Sequence, residues 1–539
     1  MSSSRREFDV CVIGSGAAGG VMAKELCEGG AKVIMLEAGP KVDPSQFLSH
    51  KWPYELPYRG LRGEKQAPFH QVSTAIRYED CDQIGVSEVR VVGGRTLHWN
   101  AVALRYAERD FKEWSVNGTE EDWPLTYQEL APYYERIEAL IGVCGADDHL
   151  EILPAGKHYL PPIPWRCSEH ILHRAAAKMG IPVISVRKAV LTVPYDKRPP
   201  CHYCGHCMDG CDASAIFTTP DCLLPKAEIT GNFTLRPNAI ARELLVDREG
   251  LVRGVSLVDR LSKREEEVKA KLFVVCCATT ESARLLLNSR SPQHPNGIAN
   301  SNDTVGRYLH GHLTDGIDIY LKDFYGVTPF NQDGATDHVY VPRYNYLTGK
   351  KDYAGGWGFQ VNYGSYMFPN QASRIGGYGP SYKARVRRMQ PGYMMLGSFG
   401  KVLARPENRV TTEPGKTDEY GIPNPVVHFR FSENDYALWR DSIRSMLEIG
   451  SNLNAEVFPN FGQAPSGFAS HEVGTVRMGG NPRTSVLNSF CQSRDVKNLF
   501  VTDGSCFTTT SEKNPTLTIM ALSLRAADYI RRQRRRGEL

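Results

Sequence analysis

No uninterrupted apolar run in this 539-residue chain approaches the roughly 20 residues a helix needs to cross a bilayer. The longest candidates, such as Leu272–Ala278, stop after about two strand lengths, so a transmembrane helix is not expected. Charge of one sign is lacking too. The net charge is +4, and setting aside the five arginines of one C-terminal run (Arg531, Arg532, Arg534, Arg535 and Arg536) leaves −1. A nearly neutral body does not suit nucleic acid, and the basic run is expected to be a solvated, frayed helix end complementing the helix dipole. Cysteine is too sparse and too uneven for a disulfide framework: there are 14, four of them between 201 and 211. Internal repeats are missing, and the arginine run is the one low-complexity stretch.

Glycine is plentiful, at 49 residues beside 41% hydrophobic and 23% charged residues, a balance that suits a soluble enzyme with many tight turns. The apolar, β-branched Phe8–Ile13 reads as a buried parallel strand, running straight into Gly14-Ser15-Gly16-Ala17-Ala18-Gly19 and then a helix. Gly14 permits the tight turn, Gly16 lets backbone approach a pyrophosphate, and Gly19 lets the helix pack closely on the strand. A second strand, Lys32–Leu36, ends at Glu37, 18 positions beyond Gly19, where a carboxylate binds ribose hydroxyls and opposes a 2′-phosphate. Strand, glycines, helix, strand and acidic end in this order predict a dinucleotide site. The neighbouring Ser4-Arg5-Arg6-Glu7-Phe8 is similar to a twin-arginine export signal, but the apolar stretch beside it is the first nucleotide-binding strand and no cleavage site separates the two, so a cytoplasmic location is expected.

Four further segments resemble the glucose-methanol-choline family of flavin oxidoreductases: Val91–Asn100 (VVGGRTLHWN), Asn232–Ala239 (NFTLRPNA), His471–Gly479 (HEVGTVRMG), and Asn498–Ser505 followed by Asn514-Pro515-Thr516-Leu517-Thr518. The resemblance implies an α/β fold, α+β overall: a Rossmann-like FAD-binding domain interleaved with a substrate domain on an antiparallel sheet backed by helices. Residues 1–45, 86–110, 200–300 and 466–539 would build the first; 46–85, 111–199 and 301–465 would supply the second with its connecting and lid segments. It implies FAD rather than NAD, with Gly93 and Gly94 against the flavin and backbone at Asn238 and Ala239 on adenine. Asp503 and Gly504 would contact the ribityl chain or pyrophosphate, and Pro515 and Thr516 would open the last helix beside the ring. His98 falls where pyranose oxidases join a histidine covalently to the flavin; the alternative is a hydrogen-bonding wall. His471 and Asn514 would face the reactive edge, as proton acceptor and as amide donor to the substrate oxygen, although Asn514 also suits a helix cap.

Between the motifs, residues 305–465 are rich in aromatics and amides, among them Tyr340, Tyr344, Tyr346, Trp357, Phe359, Gln360, Asn362 and Tyr363. These suit a sugar, or sheet residues packed under a lid. Cys201, Cys204, Cys207 and Cys211 have the C-x₂-C-x₂-C-x₃-C spacing of bacterial ferredoxins, with Asp212 in place of the usual proline and Cys222 a candidate extra ligand. An iron-sulfur cluster, reduced thiols, and zinc or a disulfide are the readings open. Together the segments look most like a glucoside 3-dehydrogenase catalytic subunit of the pyranose oxidase-like branch. That implies oxidation of a sugar or glycoside secondary hydroxyl at C3 to a 3-keto sugar, with electrons leaving through the cluster to an acceptor such as a cytochrome c. It also implies a small subunit bearing an export signal, which would carry the chain to the periplasm. The alternatives are an oxidase forming hydrogen peroxide and a non-catalytic flavin-binding partner.

Overall fold

A computed structural model of the chain describes residues 8–47, 76–86, 88–205, 207, 210–328, 337–346, 351–362, 369–468 and 470–539. Phe8–Ile13 is a strand, buried from Val10 onward, that pairs in parallel with Val33–Leu36 on one side and with the end of Glu265–Val275 on the other. Buried on both faces, it has the near-continuous apolar composition of a parallel strand. Phe233–Arg236 extends this sheet beyond Val33–Leu36, and Leu499–Val501 adds to it beside Phe273–Val275. Helix Ala17–Glu28 and the last helix, Thr516–Arg536, pack on one another against the sheet.

Glu265–Val275 changes partners midway. Its first half pairs antiparallel with Val252–Asp259, and its second half enters the parallel sheet. The sequence explains the switch: EEEVKAK alternates wet and dry, as one exposed face requires, and LFVV is buried throughout. The expected strand at Leu272–Ala278 is the end of this longer one, and helix Thr279–Asn288 comes after it as expected.

The second sheet is antiparallel, in the order Ala455–Asn460, His312–Leu321, Tyr393–Lys401, Trp357–Asn362, Val339–Val341, Ile184–Ser185. One face packs on helix Glu433–Ser451, which opens with a Ser432–Asp435 capping box and turns Leu438, Met446 and Ile449 inward. The other face points to the nucleotide sheet, and each sheet has its own apolar core. A small third sheet joins Arg409–Thr417, Pro423–Phe429 and Arg77–Cys81.

The basic run does not fray. It continues the last helix to Arg536, where Gly537 stops it in the left-handed region, and Arg531 pairs with Glu25 and Arg534 with Asp9. No helix among the described residues is long and apolar enough to cross a membrane.

Candidate active site

A cavity of about 840 Å³ runs from the glycine loop to the inward face of the antiparallel sheet, a volume within the usual range for small-molecule sites. At its nucleotide end main chain at the glycine loop shapes the boundary, with side chains such as Glu37 beside it. A Cβ on Gly14 would lie 2.2 Å from the Cys276 carbonyl oxygen, and one on Gly19 would lie 2.0 Å from that of Gly14, whereas nothing stands within 4 Å of one on Gly16. The three glycines thus divide as expected into turn, open approach and close packing. Helices Ala17–Glu28 and Thr516–Arg536 both begin at this cavity, and neither has a side-chain cap, so their free N–H groups and positive dipole ends are left for a ligand. Glu37 lines the cavity; its carboxylate accepts from the Ser15 hydroxyl (2.6 Å), the Ser15 N–H (3.1 Å) and the Gly39 N–H (2.9 Å). Ser15 Oγ in turn accepts from the Gly93 N–H at 2.8 Å, joining the first motif to the second. Burial pushes the Glu37 carboxyl above the usual carboxylate range.

Gly94 and His98 line the cavity, while Gly93, with φ of 99°, sits behind them against Pro220. Asn238 and Ala239 do not border it: their N–H groups are used on the Gly39 and Glu37 carbonyls, and the border passes to Ile240 and Ala241. Asp503 and Gly504 are at the wall, yet the Asp503 carboxylate is already engaged by the Ala278 and Ser505 N–H groups and the Ser282 and Ser505 hydroxyls. What Asp503 offers is the placing of these loops.

The opposite end is bounded by side chains. His471 Nε2 lies 3.3 Å from Asn514 Nδ2, and its Nδ1 lies 2.9 Å from His312 Nδ1. Burial, then the neighbouring His312 and Arg95, hold the His471 imidazole well below the usual value, so it stays neutral. Arg95 donates to the Ser470 carbonyl at 2.9 Å and pairs with Glu472, gripping the segment on both sides of His471. Asn514 does not cap the last helix, where Pro515 stands at the cap; its Oδ1 accepts from Gln360 Nε2 at 2.7 Å. Behind it lies a buried ionic cluster: Lys513 Nζ is 2.9 Å from Asp110 and 2.7 Å from Glu512, and Arg343 is 3.4 Å from both carboxylates. Breaking one such buried pair leaves an uncompensated charge, so the segment that carries Asn514 is held firmly.

The glycine loop and the residues at this end fall in two models of one family. GMC oxidoreductase N-terminal and C-terminal models cover residues 9–314 and 404–523. The chain is a GMC oxidoreductase. Over 553 aligned residues, 99% of this chain and 97% of the relative, it is 30% identical to a 2-methyl-1,2-propanediol dehydrogenase of Mycolicibacterium austroafricanum. Over 562 residues, the whole of both chains, it is 28% identical to a fructose dehydrogenase large subunit of Gluconobacter japonicus. Among solved structures, pyridoxine 4-oxidase of Mesorbium loti superposes with a TM-score of 0.67 at 18% identity, covering 97% of this chain and 99% of that one, a likeness of fold. This GMC oxidoreductase is an FAD-dependent alcohol oxidoreductase, and the two uncapped helix ends and the open approach at Gly16 fit the diphosphate of that cofactor.

Of the sequence-derived substrate side chains among the described residues, only Gln360 borders the cavity. Tyr340, Trp357 and Phe359 are fully buried core, with Trp357 and Phe359 stacked 4.7 Å apart, and Tyr344 packs edge-on to Trp357. The period of two explains it, since Trp357 and Phe359 share the face turned to helix Glu433–Ser451 and Gln360 takes the other. Tyr363 and the side chains of Tyr346 and Asn362 lie outside the described residues. Sequence reasoning missed Gln371, Arg374 and Asn460, which join Gln360 at the wall, and His312 behind His471. No local spacing marks them, because each is brought in by pairing or packing between distant segments.

The metal reading of the cysteine run does not fit the residues present. Among the described residues, no three or more His, Cys, Asp or Glu stand where they could hold a metal ion. Burial, and then the neighbouring cysteines of the run, push the Cys201 thiol up to about 11 and that of Cys207 up to about 12, so with no metal bound these groups are protonated. Cys201, Cys207 and Cys211 instead pack on the nucleotide-side core, and Gly210 lies under the Phe47 ring, closer than a Cβ would allow.

Proposed function

We propose that this enzyme oxidises a secondary hydroxyl of a sugar or glycoside. The observation that carries the reading is the amide-lined wall, Gln360, Gln371 and Asn460 with Thr314 and Arg374, in the same cavity as His471 and Asn514. Sugar hydroxyls need donors and acceptors side by side, and an amide offers both. Phe399, 5.5 Å from the His471 ring, adds an apolar surface for C–H faces. Relatives named for fructose and for a diol support a polyhydroxylated substrate. Position C3 rests on the motif resemblance.

The chemistry that FAD supplies when bound is acceptance of a hydride from the substrate carbon. Gly16 and the two helix ends would hold its diphosphate, Glu37 its ribose, and His98 the flavin wall, by hydrogen bond or covalent link. His471 Nε2 takes the hydroxyl proton; the depressed basicity of its ring keeps that nitrogen free across physiological pH. Asn514 Nδ2, held by Gln360 through the opposite amide atom, donates to the substrate oxygen as charge grows on it. The names of both relatives favour a dehydrogenase, which gives its electrons to a separate acceptor such as a cytochrome c.

The test is anaerobic mixing of the flavin-loaded enzyme with fructose, glucose, methyl glucosides and a small 1,2-diol. Flavin bleaching by a glycoside, with a 3-keto product by NMR and turnover with a dye acceptor but little peroxide, is the expected result. Bleaching by the diol alone would remove the sugar reading, and stoichiometric peroxide would make the enzyme an oxidase.

A further inference from the structure

A neutral imidazole has two tautomers, and only one of them leaves His471 Nε2 with a lone pair facing the cavity. Nothing on the His471 ring decides between them. Ser511 does, through a backbone carbonyl, which can only accept. His312 Nε2 lies 2.7 Å from that oxygen, so Nε2 carries the hydrogen and, in a neutral ring, Nδ1 carries the lone pair. His312 Nδ1 is 2.9 Å from His471 Nδ1; one hydrogen must lie between them, and it therefore belongs to His471. His471 Nε2 becomes the acceptor, Asn514 must turn its NH₂ toward it at 3.3 Å, and Asn514 Oδ1 is left for Gln360 at 2.7 Å. One carbonyl sets the direction of every hydrogen bond up to the cavity.

We propose that His312 is a positioning residue for the alcohol oxidation: presenting only a lone pair to His471 Nδ1, it fixes the tautomer in which Nε2 receives the hydroxyl proton. The inference rests on the reading of His471 as the base. When the substrate O–H breaks and Nε2–H forms, His471 becomes an imidazolium whose Nδ1–H still donates to His312, so that link is unchanged, while the Asn514 NH₂ gives up Nε2 and turns to the substrate oxygen. The alternative, a doubly protonated His312, would force His471 to accept at Nδ1 and would abolish the base. Burial opposes it: His312 is fully buried, with the Phe399 ring 5.7 Å away, and this outweighs the Ser511 carbonyl, which accepts from Nε2–H in either charge state. The charged groups facing the pair are Glu512 and Lys513 beside His312, which act in opposite senses, and Arg95 beside His471. A carboxylate at this position, as in a Ser-His-Asp triad, would orient the ring and also raise its basicity; a neutral imidazole orients it alone.

Two readouts test this. Solid-state NMR of ¹⁵N-histidine-labelled holoenzyme, with His471→Gln for assignment, needs no substrate and stands apart from the question of sugar oxidation. The wild type is expected to show His471 protonated at Nδ1 and bare at Nε2, and His312→Leu to move it to the Nε2–H form that free imidazole prefers. An Nε2–H His471 in the wild type, or an unchanged tautomer in His312→Leu, would overturn the proposal. The second readout is the rate of anaerobic flavin reduction by a bleaching alcohol. His312→Leu should lower kcat roughly 10- to 100-fold with KM little changed, and His312→Asn, which keeps an acceptor oxygen near His471 Nδ1, should recover most of it. Equal losses in both variants, or a loss carried by KM, would also overturn it.

Discussion

At the nucleotide end of the cavity peptide groups set the shape, with Glu37 beside them: the Cys276 carbonyl against Gly14, the Gly14 carbonyl against Gly19, the open approach at Gly16, and two uncapped helix ends. At the reaction end the walls are side chains, His312, His471, Asn514 and Gln360, each oriented by the next. Main-chain walls recognise what every FAD shares, and tolerate no added atom where backbone meets backbone. Side-chain walls choose a substrate and set a proton, and they fail one residue at a time. Substitutions at the first end should therefore act on cofactor retention, and those at the second on turnover with cofactor in place.

The sharpest cut at the reaction end is His471→Ala. It should retain flavin yet lose about 10² to 10⁴ in the rate of flavin reduction by substrate; a variant that loses its flavin instead would break the contrast. Next in size is a pH effect on stability. Burial holds His310 at about 3 and His312 at about 4, below the usual 6.5. The unfolded imidazoles bind protons from about pH 6.5 downward, while the folded ones do not until those lower values. The unfolded state therefore carries more protons in this window. Stability is full above about 6.5 and falls as pH drops toward 4, by on the order of 2 kcal/mol per histidine between pH 7 and 5. Urea unfolding at the two pH values checks it, and His310→Leu should show the shallower acid slope.

At the nucleotide end, Gly14→Ala meets the Cys276 carbonyl at a backbone φ of 102°. Strain of about 1–3 kcal/mol should cost roughly 10- to 100-fold in FAD affinity, read by flavin content after dialysis. Turnover per bound flavin should change much less. The smallest effect is expected between the two ends, in the cysteine loop. If those thiols are packing, Cys211→Ser leaves flavin content and turnover within about twofold, the size of a neutral core change; a collapse in dye-linked turnover would return the loop to electron transfer.

The same contrast explains what could be read from the sequence. Gly14, Gly16, Gly19 and Glu37 lie within one strand-helix-strand unit, where spacing alone fixes geometry, and the strands at Phe8–Ile13 and Val33–Leu36 fall where the residues imply. His471 and Asn514 were found as motif resemblances, and the structure brings them within 3.3 Å. The amide wall was not legible, because Gln360 faces the cavity while Trp357 and Phe359 face the helix, a choice made by pairing with Tyr393–Lys401. The aromatics misled for the same reason: a polar-tipped ring suits a sugar and suits a sheet core equally. Ferredoxin spacing at Cys201–Cys211 is a different case: spacing says how far apart thiols lie along a chain and not whether they converge on a point, and among the described residues no group that could hold a metal is found.

The cavity is bordered by Gly14 and by Asn514, and helices Ala17–Glu28 and Thr516–Arg536 pack together. During synthesis, the first half of the cofactor site leaves the ribosome long before the last helix exists to close it. The complete FAD site therefore exists only after translation of residue 514 and docking of that helix on the glycine-loop unit. Until then the apolar surface of helix Ala17–Glu28 that the last helix covers is left open to water.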